Sequence, residues 1–191
     1  MTSNTRPYHH GDLRRAVLDA AVQAIAEAGP TALSLRDLAR RAEVSHAAPA
    51  HHFGDKAGVL TALAAEGFDK LAETLQATQQ RTGDFLQMGV AYVRFAIDHR
   101  AHFEVMYRPD LYDAADPDVR AARDRAGETL YSGVATAQHR PDDVDLKIAG
   151  VAAWSLVHGF ASLCLHGSLP EELRHDPEQA ARAIAGVLFR A

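Results

Sequence analysis

Between Ser34 and Lys56 the chain carries side chains suited to gripping a polyanion, without an arrangement suited to breaking bonds. Arg36 and Lys56 are placed at helix starts, where a cation can hold a phosphate and anchor a duplex without reading its sequence. Ser45 can offer its hydroxyl or its amide to a phosphate while capping the helix that follows. In the run Ser45-His-Ala-Ala-Pro-Ala-His-His-Phe53, the residues expected to meet base edges are His46, Ala47, Ala48 and His51, the methyl groups matching thymine methyls. His52 and Phe53 are expected to lock the same helix to its core. Arg40 and Arg41 read as a solvated face.

Other chemistries find less support. Eleven histidines invite a metal reading, but His9-His10 and His51-His52 are adjacent pairs that should diverge on a helix, and no His-Glu-x-x-His or cysteine cluster occurs. No Gly-x-Ser-x-Gly, phosphate-loop glycine pattern or nucleophile with base and orienter is present, so no catalytic residue, metal or cofactor is assigned. The single cysteine, Cys164, lies in an apolar stretch and reads as a small core residue of a protein in a reducing cytoplasm. Neither a secretory signal nor an apolar run of the ~20 residues needed to span a membrane is visible in the sequence pattern. The net charge of −5 hides a split. Through Lys56 there are seven Lys or Arg against six acids, and beyond it thirteen against nineteen. A near-neutral head on an acidic body is compatible with duplex binding, which depends on local cation placement.

The elements that must hold these residues are helical nearly throughout. In Asp12–Ala28, the apolar residues Leu13, Val17, Ala20, Ala21, Ala24 and Ala28 recur at steps of three and four. Gly29-Pro30 stops that helix. Ser34 with Asp37 reads as a capping-box variant opening a second helix to about Ala42. Residues 43–45 form a turn, and Ser45 caps a third helix to about Phe53. Pro49 is tolerable only in a first turn, which puts that helix start near 45–47. Further helices are expected over about 56–80, 84–98, 102–107, 116–138, 144–165 and 176–189, with Asp116-Pro117 and Asp176-Pro177 as cap-and-proline starts. The result is an all-α chain of about nine helices: a three-helix head with helix-turn-helix layout over 1–56, then a helical bundle over 57–191.

The ordered run Ala-Leu-Ser-Leu-Arg-Asp-Leu-Ala-Arg-Arg-Ala-Glu-Val-Ser (32–45) and His-His-Phe-Gly-Asp-Lys (51–56), with Tyr-His-His-Gly-Asp-Leu-Arg-Arg (8–15) upstream, resembles the DNA-binding head of the TetR family of regulators. That resemblance implies an all-helical homodimer whose heads bind palindromic operator DNA, usually as a repressor, and whose body binds a small-molecule effector. The chain departs from the family pattern at Ala47, Pro49 and Ala50, where Gly, Leu and Tyr are common. The Tyr that Ala50 replaces commonly touches a phosphate, a contact left to His51, Arg14 or Lys56. Trp154-Ser-Leu-Val-His158-Gly159 resembles the Trp…His-Gly signature of one class of C-terminal domains in the family.

By the same resemblance, helices over about 143–166 and 177–190 form a four-helix dimer interface, lined by Ala149, Val151, Ala152, Leu156, Ile184, Val187 and Leu188. A ligand pocket is expected between the fourth and eighth helices, with Phe95, Phe103, Met106, Tyr107, Tyr131, Trp154, His158 and Phe160 as candidate lining. Two other readings stay open on sequence: a ligand sensor or interaction module whose head has drifted, and a small enzyme on a helical scaffold.

Overall fold

The computed structural model describes residues 10–137 and 145–189, with side chains described for 13–137 and 145–187. Among these residues there are ten α-helices and no strand: α1 His10–Ala28, α2 Leu35–Arg41, α3 Ala48–Phe53, α4 Lys56–Thr82, α5 Phe85–Asp98, α6 Arg100–Met106, α7 Pro117–Thr136, α8 Leu146–Leu165, α9 Glu171–His175 and α10 Pro177–Phe189. A 3-10 turn, Pro30–Ala32, links α1 to α2. The fold is all-α, as the periodicity implied. The extra element is α9, one turn after Pro170, too short to leave a periodic signature.

Aspartates start most of the long helices. Asp55, Asp84, Asp116, Asp145 and Asp176 each accept backbone N–H groups that would otherwise lack partners, contributing about 1 kcal/mol apiece. Two expected caps are absent. Ser34 holds the N-cap position of α2 without a side-chain hydrogen bond, and Asp37 pairs with Arg40 and Arg41 instead. Ser45 does not cap α3, which begins three residues later with Ala47 in the N-cap position. The connection is consequently longer than three residues, and it includes Glu43 in the left-handed region at φ 53°.

α1 packs on α2 and α3 and also touches α4 and α6. It therefore buries two stripes: the expected Val17, Ala20, Ala21 and Ala24, together with Leu18 and Ile25. α4, about 40 Å long at 1.5 Å per residue, runs from the head through the body and packs against α5, α6 and α7. α8 and α10 pack on α5 and on each other, farthest along the chain from the head.

Candidate nucleic-acid interface and ligand cavity

Arg36, Ser45, His46, Ala47, Ala50 and His51 are exposed. Ala48 is not: together with Pro49 it is buried in the first turn of α3, so its methyl packs inward and it leaves the set of base-facing residues. The reason is the later helix start, which rotates residue 48 onto the core side. Pro49 does occupy the first turn, where its missing N–H costs nothing. His51 and His52 do not diverge as expected; their rings lie edge to face, 5.4 Å between centroids. Lys56 is half-buried and donates from Nζ to the Thr31 carbonyl at 2.5 Å, tying the start of α4 to the 3-10 turn. Arg14 lies over the Phe53 ring, 5.4 Å from its centroid, bracing α1 against α3.

Arg41 is engaged by two carboxylates, Glu27 on α1 and Asp37 on its own helix, each at 2.6 Å. Those hydrogen bonds hold both acids below their usual range. Arg41 thus ties α2 to α1, while Arg36 is exposed.

A polar relay runs from half-exposed Arg15 to buried His102 and joins head to body. Glu66 on α4 receives Arg15 of α1 at 2.8 Å and faces His102 Nε2 of α6 at 3.3 Å. The His102 hydrogen bond first, and Arg15 second, pull the Glu66 carboxyl down to about 2 from an ordinary 4.5. A depressed carboxylate contributes stability above its unfolded pKa and loses it as pH falls through the folded value. Glu66→Gln should therefore flatten the decline of Tm between about pH 4.5 and about pH 2. Parallel Tm–pH curves for variant and wild type would refute that role.

Between α4, α5, α7 and α8 lies a cavity of about 410 Å³. Its walls are mainly apolar: Phe68, Leu71 and Leu75 from α4, Met88 from α5, Leu130 from α7 and Val157 from α8. One polar cluster interrupts them. The Tyr92 hydroxyl lies 2.9 Å from the Tyr107 hydroxyl, 2.9 Å from His158 Nδ1 and 3.2 Å from Trp154 Nε1, whose N–H donates to it. Burial pushes the Tyr107 hydroxyl up to about 12 and Tyr92 well above the usual phenol range, while it lowers the His158 imidazole. The cluster is therefore uncharged near neutral pH.

Family comparison matches residues 17–63 to bacterial regulatory proteins of the tetR family and residues 85–188 to the Tetracyclin repressor-like C-terminal domain. The chain belongs to the TetR family of transcriptional regulators. A solved protein of unknown function from Rhodococcus sp. RHA1 is 32% identical, with 97% of this chain and 98% of that one covered at a TM-score of 0.81. Two further structures share the fold. The regulator PfmR from Thermus thermophilus is 24% identical, with 92% and 97% covered at TM-score 0.71. LfrR from Mycobacterium smegmatis, solved with proflavine, is 24% identical, with 93% and 95% covered at TM-score 0.67. No match was found among curated proteins. DNA-binding transcriptional regulation follows from membership.

Within this TetR-family body, four of the expected lining residues reach the cavity: Met106, Tyr107, Tyr131 and Trp154. Four do not line it. Phe95 and Phe160 are buried core, Phe103 stacks on the His158 ring at 5.2 Å, and His158 stands behind Tyr92. Sequence reasoning missed the α4 wall and Tyr92, Tyr112 and Arg123. Tyr92 had a usable signal: a tyrosine on an otherwise apolar helix face needs a partner for its hydroxyl.

Proposed function

We propose that this TetR-family protein is a cytoplasmic homodimeric regulator, most simply a repressor, that binds a palindromic operator and leaves it when a small molecule fills the body cavity. Residues 1–56 are the DNA-binding head and 57–191 the ligand-binding and dimerisation body. Arg36 and Lys56 hold phosphates, Ser45 offers a further donor, and His46, Ala47 and His51 face the major groove. It is a regulator and not an enzyme.

The observation that carries this reading is the position of α6. Its Met106 borders the cavity, with Tyr107 directly after it. Four residues earlier, His102 meets Glu66, which holds Arg15 of the head. Gly67 lets α6 press on α4, because a Cβ there would lie 2.6 Å from Met106 Sδ. Displacing α6 from the cavity side therefore pulls on a contact that orients α1. The proflavine held by LfrR supports a small-molecule role for such a body.

Dimerisation is supported by α8. Contrary to the reading of the sequence, it is long and apolar enough to cross a membrane by composition, yet only 22% of its apolar stretch is buried. Ile148, Val151, Leu163 and, on α10, Val187 are exposed at 64%, 48%, 46% and 79%. Ala152 is also exposed, Ala149, Leu156 and Ile184 are half-buried, and the Leu188 side chain lies outside the described residues. A contiguous apolar face of this kind marks an interaction surface.

Nuclease protection of the DNA upstream of its own gene tests the proposal. Two half-sites related by a dyad, about one helical turn apart, are expected. Protection of one asymmetric site, or none, would favour a module whose head has lost its operator. Arg36→Ala should weaken binding to every sequence and lower the salt slope by about 1. His46→Ala should change preference at one half-site position, read by competition among operator variants. Equal effects of both substitutions on all sequences would remove His46 from the reading surface.

A further inference from the structure

The cavity has a polar point and no counter-charge for a cation. Its lining contains no Asp or Glu, and the one charged side chain is Arg123, exposed at the α7 edge. Tyr92, Tyr107 and His158 cannot substitute for an acid, since burial keeps both phenols protonated and the imidazole neutral. A cation entering here would be desolvated. Attraction to the aromatic walls returns only part of that cost.

The hydrogen bonds narrow the ligand further. Trp154 donates to the Tyr92 oxygen. With a proton on His158 Nδ1, the imidazole donates to Tyr92 as well, both Tyr92 lone pairs are filled, and its hydroxyl donates to Tyr107. Tyr107 then presents a free O–H. With the proton on Nε2, Tyr92 donates to His158, Tyr107 donates to Tyr92, and Tyr107 presents lone pairs instead. Either way Tyr107 is the member of the chain that keeps capacity and borders the cavity. It can meet an acceptor or a donor, according to the tautomer.

We propose that the effector is an uncharged aromatic or alicyclic molecule whose single hydroxyl or carbonyl docks on the Tyr107 hydroxyl, beside Tyr92 and Trp154. This rests on the regulator reading and specifies its ligand class. An anion is disfavoured at the same point, because the one lining cation, Arg123, is exposed at the α7 edge, where solvent weakens pairing.

Trp154 is the only tryptophan in the chain and borders the cavity, so its fluorescence reports occupancy directly. Four matched probes, 4-phenylphenol, biphenyl, biphenyl-4-carboxylate and protonated 4-phenylbenzylamine, would be titrated into the full-length protein, with calorimetry as a check on optical artefacts. The phenol should bind tightest, and the ammonium at least about 100-fold more weakly. Tyr107→Phe should cost the phenol about 10-fold and leave biphenyl unchanged, which separates a lost hydrogen bond from a damaged cavity. The tightest binding by either charged probe, equal losses for phenol and biphenyl in Tyr107→Phe, or no binding by any probe would overturn the assignment. DNA retardation run beside it keeps the two ideas apart. Intact operator binding with the wrong ligand preference sinks only the ligand class, and absent operator binding sinks the regulator reading.

Discussion

Gly58→Ala is expected to abolish operator binding while leaving the body cavity able to take up ligand. Helix propensity alone points the other way, since Ala replaces Gly inside a helix with a gain of about 1 kcal/mol. Here the neighbour decides the sign. A Cβ on Gly58 would stand 1.8 Å from the backbone carbonyl oxygen of Phe53, the last residue of α3. A backbone carbonyl cannot rotate away as a side chain does, so the junction of α3 and α4 must open. Overpacking commonly costs about 1–3 kcal/mol, which outweighs the propensity gain, and the displaced element is the one proposed to enter the groove. Phe53 also carries the Arg14 contact to α1, so the disturbance spreads across the head. Retardation assays and Trp154 fluorescence on the same variant check this. Wild-type operator affinity in Gly58→Ala would show that the α3–α4 seam does not set the reading helix.

Val151→Glu combined with Val187→Glu should give a folded monomer that no longer retains operator DNA. Both side chains are exposed in the single chain, at 48% and 79%, so neither substitution opens a cavity in the core. In the proposed dimer each would place a desolvated charge in an apolar seam, repeated by symmetry on the partner. Two linked heads gain about 10²–10⁴-fold over one through effective concentration, and the monomer should lose affinity on that scale. Sedimentation with a parallel DNA titration reads both effects. A variant that stays dimeric and binds normally would move the interface away from α8 and α10.

The head was legible because its signals are local. Gly29-Pro30, the aspartate starts and the apolar steps of three and four are each written within one turn of the residue they govern. Where a helix begins is less local. Ser45 looks like a cap, yet α3 starts at Ala48, and that shift turned Ala48 from the groove to the core. Contacts between elements were silent altogether: the Arg41–Glu27 pair, the Glu66 relay and the Gly58–Phe53 approach join positions far apart in sequence or hidden by glycine. The cavity was half legible for the same reason. Leu71 and Leu75 repeat at the spacing of any buried stripe, and nothing in that period says whether the space they face is filled.

Retardation of the protein's own upstream duplex across a salt series shows whether the head grips operator DNA through phosphate-anchored groove contacts. The expected result is specific retention of one fragment over an unrelated duplex, with log affinity falling steeply and linearly in log salt, at a slope of about −0.9 per phosphate contacted. Equal affinity for both duplexes at every salt concentration, or no retention even at low salt, would contradict it.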